Sequence, residues 1–119
     1  TTGTLNAAAN NLGIMDGSLR SLTEGDNNIS LGYNSSYNIT SGQLNVVIGS
    51  YAGTNISTGD YNIVIGNNAG GNLETGVHNT VLGYLANVSS SSADNQIVIG
   101  QFLFPSKSLS ISNSSGRVY

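Results

Sequence analysis

Aliphatic triplets recur along the chain between stretches of small polar residues: Val46-Val47-Ile48, Ile63-Val64-Ile65, Thr80-Val81-Leu82 and Ile97-Val98-Ile99. β-branched residues of this kind favour strands, and each triplet is followed by Gly and preceded by Asn, or by Gln96 in the last. Shifting the chain against itself by seventeen residues brings Gly32, Gly49, Gly66, Gly83 and Gly100 into one column, each preceded by an aliphatic residue: Leu31, Ile48, Ile65, Leu82 and Ile99. Gly25, Gly42, Gly59 and Gly76 form a second column, which lapses at Ala93. Asn28, Asn45, Asn62 and Asn79 form a third. Beside these run a small series (Ser35, Ala52, Ala69, Ala86) and a hydroxyl series (Ser41, Thr58, Thr75, Ser92).

A period this short excludes helical solenoids and propeller blades, and it matches one turn of a β-solenoid or β-roll. The fold class expected is therefore all-β, a parallel β-roll of about five coils over residues 25–104, with two short strands per coil. The Gly columns fall where the chain bends, at positions needing positive φ or close backbone approach. The Asn column, stacked at about 4.8 Å per coil, predicts an amide ladder. A further apolar column, Ile39, Ile56 and Leu73, gives way to Ser90; it reads as a second strand or an inward corner, with an enlarged turn at Ser89-Ser90-Ser91-Ser92.

Both ends break the pattern. Residues 1–24, with Leu12, Ile14, Met15, Leu19 and Leu22, read as a short helix or irregular cap or junction over the first coil. Phe102, Phe104 and Pro105 read as an aromatic plug, and Leu109 and Ile111 alternate with serines as a different strand, so residues 105–119 form a terminal strand or a junction to a further domain. Without an initiator Met, the chain reads as a piece of a longer protein.

An apolar triplet in a strand presents side chains to both faces, so both need cover. One cover is the coil interior. The column Val47, Val64, Val81, Val98 or its neighbours would otherwise stand open to water as a continuous stripe, which marks an interface. The residues expected in the roll core or between chains are Leu31, Val46, Val47, Ile48, Ile63, Val64, Ile65, Val81, Leu82, Ile97, Val98 and Ile99. The expected partners are two further copies of the chain around a common axis.

Composition sharpens this picture. Gly, Asn, Ser and Thr occupy sixty of the 119 positions, too many for an ordinary compact core. Only 8% of residues are charged and the net charge is -3, against roughly 25% charged in an average domain. Arg20, Lys107 and Arg117 cannot build the basic surface that phosphate-backbone binding needs, which argues against nucleic acid. With no cysteine there is neither a disulfide framework nor a thiolate metal site. No apolar run approaches the ~20 residues of a membrane span, so membrane insertion is not expected.

Catalytic chemistry finds little support. His78, in the column of Leu44 and Tyr61, reads as a surface or turn residue; its alternative, three copies meeting at an axis to hold a metal, demands inward orientation. Asp60 and Glu74 lie in different columns, and Asp16, Glu24, Asp26 and Asp94 read as similarly scattered, so no carboxylate pair is implied. Gly70-Gly71 is a turn without the context of a phosphate loop. The chain is expected not to be an enzyme and to need no cofactor. Tyr33, Tyr51, Tyr61 and Tyr84 are candidate glycan contacts, since rings and amides on a surface stack on and hydrogen-bond to sugars. Asn38-Ile39-Thr40 and Asn55-Ile56-Ser57 would be glycosylation acceptors in a eukaryotic secretory route.

The runs Asn62-Ile63-Val64-Ile65-Gly66-Asn67-Asn68-Ala69-Gly70, Gly42-Gln43-Leu44-Asn45-Val46-Val47-Ile48-Gly49-Ser50-Tyr51-Ala52-Gly53 and Asn95-Gln96-Ile97-Val98-Ile99-Gly100 resemble the β-roll head repeats of trimeric autotransporter adhesins and, more closely, repeats of phage and viral tail fibres. The resemblance covers about two-thirds of the chain. It implies an elongated homotrimer projecting from a virion or cell surface and acting in host attachment, with a host-surface glycan or receptor as partner. The expected function is thus a structural fibre segment. The alternatives are a carbohydrate-binding fibre tip and an ice-binding solenoid, whose flat face would carry regular ranks of Thr.

Overall fold

The computed structural model describes residues 8–100 and 109–112 of the chain. Six strands, β1 (Leu12–Ile14), β2 (Ile29–Leu31), β3 (Val46–Ile48), β4 (Ile63–Ile65), β5 (Thr80–Leu82) and β6 (Gln96–Ile99), stack in chain order as one parallel sheet. Their register is the sequence period: Val46 pairs with Ile63, Val47 with Val64 and Ile48 with Ile65, and likewise at each step. β7 (Leu109–Ser112) adds to β6 in the opposite direction, Ile99 facing Leu109. The fold is therefore an all-β parallel solenoid, without helix among the described residues.

Three differences from the sequence expectation follow from local chemistry. Each described coil carries one short strand, not two, because the column of Ile39, Ile56 and Leu73 is a single inward anchor set among Asn and hydroxyl residues. Those side chains are fully buried, while the backbone around them stacks turn on turn, as in Thr40 N–H to Ser57 C=O at 3.0 Å and Ser57 N–H to Glu74 C=O at 2.9 Å. Next, residues 8–24 form a coil in place of a helix or irregular cap. Leu12 pairs with Ile29, Leu22 joins the buried Ile39 column, and the outward Leu12 and Ile14 take places that later coils mostly give to large apolar side chains, while Met15 stands where later coils have glycine. Finally, the strand triplets divide by face: Val47, Val64, Val81 and Val98 lie inside their own coils, whereas Leu31, Val46, Ile48, Ile63, Ile65, Leu82, Ile97 and Ile99 point outward and stay partly or largely exposed. The open stripe is formed by the neighbours of the valine column, as alternation along a strand requires.

Coil packing rests on a trade of volume between two inward positions. Gly13 accompanies buried Leu19, Ser30 accompanies Ser36, Val47 accompanies Gly53 and Val64 accompanies Gly70. A Cβ at Gly53 would lie 3.1 Å from Val47 Cγ1, and one at Gly70 would lie 2.9 Å from Val64 Cγ1. In the third and fourth coils the large strand residue leaves room only for glycine, whereas in the fifth Val81 is accompanied by the half-buried Asn87. Where the strand offers only glycine, leucine fills the space. In the fifth coil Ser90 cannot serve as anchor; Val88 is buried at 4% exposure, and Ser89–Ser92 loop outward as exposed residues.

The glycine before each turn reflects crowding. Gly66 has φ 139, and a Cβ there would sit 2.5 Å from the carbonyl oxygen of Gly83 in the next coil. Gly59 is restricted by approach alone, its would-be Cβ meeting Gly76 O at 2.5 Å.

Phe102, Phe104 and Pro105, and so the aromatic plug, lie outside the described residues.

Candidate functional site

Inside the solenoid, the asparagine column makes a continuous amide ladder. Asn62 Oδ1 accepts the backbone N–H of Asn79 at 2.9 Å and its Nδ2 at 3.0 Å. Asn62 Nδ2 donates to Asn45 Oδ1 at 3.1 Å and to Gly76 O at 2.9 Å. The pattern repeats at Asn28 and Asn45, whose side chains are buried too. It begins one coil earlier than the sequence reading placed it, since Asn28 N donates to Asn11 Oδ1 at 2.8 Å. It ends where Gln96 N donates to Asn79 Oδ1 at 3.0 Å, while the Gln96 side chain turns out to brace Ser89. Every donor and acceptor of a middle Asn is satisfied without water, which makes this column a structural strut.

The carboxylates are less scattered than the sequence suggested. Asp26, Asp60 and Asp94 share one column in alternate coils, and each Oδ1 accepts a backbone N–H from the coil before: Ala9 at 2.7 Å, Gln43 at 2.9 Å and Val77 at 2.8 Å. Skipping a coil separates the charges by about two strand spacings, ~10 Å, enough for salt to screen their repulsion. Glu74 stays apart. Among the described residues no group of three His, Cys, Asp or Glu side chains could hold a metal ion, and no helix is long and apolar enough to cross a membrane.

Outside, the apolar side chains are sharply segregated. With coils counted as residues 8–24, 25–41, 42–58, 59–75, 76–92 and 93 onward, the thirteen exposed large hydrophobic residues among the described ones all fall between the third and tenth residue of a coil. They are Leu12, Ile14, Met15, Ile29, Tyr33, Leu44, Tyr51, Tyr61, Ile63, Ile65, Tyr84, Leu85 and Ile99. Apart from Ala9, Arg20 and Gln43, the exposed residues in the rest of each coil are Ser, Thr, Asn, Asp and Glu. Tyr33, Tyr51, Tyr61 and Tyr84, the candidate glycan contacts, are 42%, 42%, 49% and 55% exposed and lie on the sides of this face. Tyr33 meets Tyr51 edge-on at 5.5 Å. His78, also exposed, stacks on Tyr61 at 4.9 Å.

Two columns flanking the strands hold left-handed backbone. On one side stand Asn10, Asn27, Leu44, Tyr61, His78 and Asn95, with φ near 60; on the other stand Gly17, Asn34, Tyr51, Asn68 and Leu85. Asn and Gly tolerate this conformation, whereas Leu, Tyr and His pay roughly 1–2 kcal/mol each. Sequence reasoning missed these columns because the large residues mask them; Asn10, Asn27 and Asn95 toward the ends of one were the available signal.

A small cleft of about 210 Å³ opens between Asn72, Asn87, Val88 and Ser89, where the fifth coil departs from the repeat.

Compared with models of protein families, with curated proteins and with solved structures, the chain matches none. What its own geometry defines is a repetitive β-solenoid module with one polar and one apolar side.

Proposed function

We propose that this chain is a structural segment of a homotrimeric fibre at a virion or cell surface, non-catalytic, giving length and stiffness to a host-attachment assembly. The observation that carries this reading is the confinement, among the described residues, of every exposed large hydrophobic residue to one side of the coil. A face of six strands spaced about 4.8 Å apart runs ~25 Å along the solenoid, long enough to approach the ~800 Å² per partner of a stable interface. Its strand residues are uncharged. Burying it between copies adds several kcal/mol at ~25 cal/mol per Å². The likeness of the repeat to tail-fibre and adhesin heads supports the number three and the surface location.

The test is solution mass. The native chain is expected at about 37 kDa, three times 12.2 kDa, with a single cooperative melt; a particle of one chain's mass at all concentrations would sink the proposal. Ile63→Asp with Ile65→Asp, both outward, is expected to give folded single chains. Val64→Asp, whose side chain is inside the coil, is expected to unfold the chain instead, and circular dichroism separates the two outcomes.

A second reading, a carbohydrate-binding fibre module, is favoured by the exposure of Tyr33, Tyr51, Tyr61 and Tyr84. Glycan-array binding lost on replacing those tyrosines would support it.

A further inference from the structure

The left-handed columns point to how the copies meet. We infer that the two sides of the apolar face are unlike halves of one interface: the column of Leu44, Tyr61 and His78 on one copy packs, coil for coil, against the column of Tyr51, Asn68 and Leu85 on the next. This rests on the homo-oligomeric reading above and adds the residues that set its geometry.

The first observation is conformational. Both columns need φ near 60, and at the chain's own outer coils this need is met by residues suited to it: Asn10, Asn27 and Asn95 in one column, Gly17 and Asn34 in the other. In the third to fifth coils the same backbone carries Leu44, Tyr51, Tyr61, His78 and Leu85. All five stay exposed even though Tyr51 meets Tyr33 and Tyr61 stacks on His78, so burial within the single chain does not offset the unfavourable backbone. Strain held at exposed positions in the middle of an apolar face is explained when those side chains acquire a partner.

The second observation is coil-by-coil size matching across the face. The first coil pairs Asn10 with Gly17 and the second pairs Asn27 with Asn34, small with small; the third pairs Leu44 with Tyr51 and the fifth pairs His78 with Leu85, large with large. The fourth joins Tyr61 to Asn68, a ring beside an amide. Within one chain these partners lie on opposite sides of the strand ladder and have no reason to covary. Between parallel copies at the same height, one side faces the other side of the neighbour, and matched size closes the seam.

Unlike sides joined head to tail make a heterologous contact, which closes into a ring about an axis parallel to the solenoid. A second copy fits better than an unrelated partner, because both columns advance by the same coil spacing and stay in step along their whole length.

The experiment uses substitutions that the chain itself supplies. In the full-length protein, Leu44→Asn, Tyr51→Asn and Leu85→Asn place the native residue of each column's other coils at the strained positions. Each is expected to raise the urea midpoint of the dissociated chain while weakening association at least tenfold in sedimentation equilibrium. Leu44→Asn combined with Tyr51→Asn should weaken association by less than the product of the single effects, since the pair is already broken; Leu44→Asn with Leu85→Asn should multiply. Unchanged association in the Asn variants would overturn the side-to-side pairing while leaving the oligomer intact. Multiplicative effects for both pairs would overturn the coil-for-coil match. A native chain that stays single removes the homo-oligomeric reading itself, and this inference with it.

Discussion

The Asn62 side chain sits at a junction of four hydrogen bonds within the stack, two given and two received. Replacing it by Ala leaves the backbone N–H and Nδ2 of Asn79, Asn45 Oδ1 and Gly76 O each short of a partner in a buried site. An orphaned buried polar group costs about 1–3 kcal/mol, and partial relaxation keeps the sum below the full total, so Asn62→Ala is expected to destabilise the chain by about 3 kcal/mol. Urea denaturation measures this directly, and a loss under ~1 kcal/mol would contradict the closed ladder. The column was legible beforehand, because a fixed Asn at each repeat in a strand-rich coil leaves few uses other than stacking. Its pairing was not: which neighbour each amide serves depends on where the glycine carbonyls point. The left-handed backbone at Leu44, Tyr61 and His78 was hidden for a related reason, as composition at those positions answers to a surface demand that overrides local preference.

At the scale of the coil, the exchange of volume between the strand centre and the residue six places on makes a testable pair. Ser30 and Ser36 fill their coil with hydroxyls; Ser30 finds Ser35 at 2.6 Å, but Ser36 Oγ is buried without a partner on a backbone with φ 48. The next two coils solve the same space with Val and Gly. Ser36→Gly with Ser30→Val is therefore expected to stabilise the chain by about 1–2 kcal/mol, from relief of the orphaned hydroxyl and the backbone together with added apolar burial. The double variant should exceed the sum of the singles, because the valine needs the space the glycine vacates; additive or unfavourable effects in thermal melts would argue against the trade. Such compensation explains why residues 8–24 were unreadable as a coil. Leu12-Gly13-Ile14 lacks the central β-branched residue that marked β3 to β6, and a large side chain is buried instead at Leu19, outside the column where a reader looks. The expected second strand failed for the converse reason: one buried Ile per coil anchors a corner without the run of extended residues that a strand requires.

For the molecule as a whole, the repeat makes length a modular quantity. Each coil touches only its neighbours, as the pairing of β3 with β2 and β4 alone illustrates, so stability is close to a sum of coil and neighbour contributions. Removing residues 46–62 joins Asn45 to Ile63 and preserves every column: Val64 then stacks on Ser30, Asn79 follows Asn45 in the ladder, and Leu44 shares a coil with Asn68. That deletion is expected to leave a cooperatively folding, self-associating chain about 4.8 Å shorter, measurable by small-angle scattering. Removing residues 46–61, one fewer, moves inward side chains outward beyond the join and breaks the amide ladder, so it is expected to abolish the cooperative melt. Equal tolerance of both deletions would mean that the columns do not hold the coils in register. The contrast isolates what the seventeen-residue period does physically: it keeps identical chemistry at identical height in successive coils. Only a chain built so can present two flanks that match a copy of itself at every level.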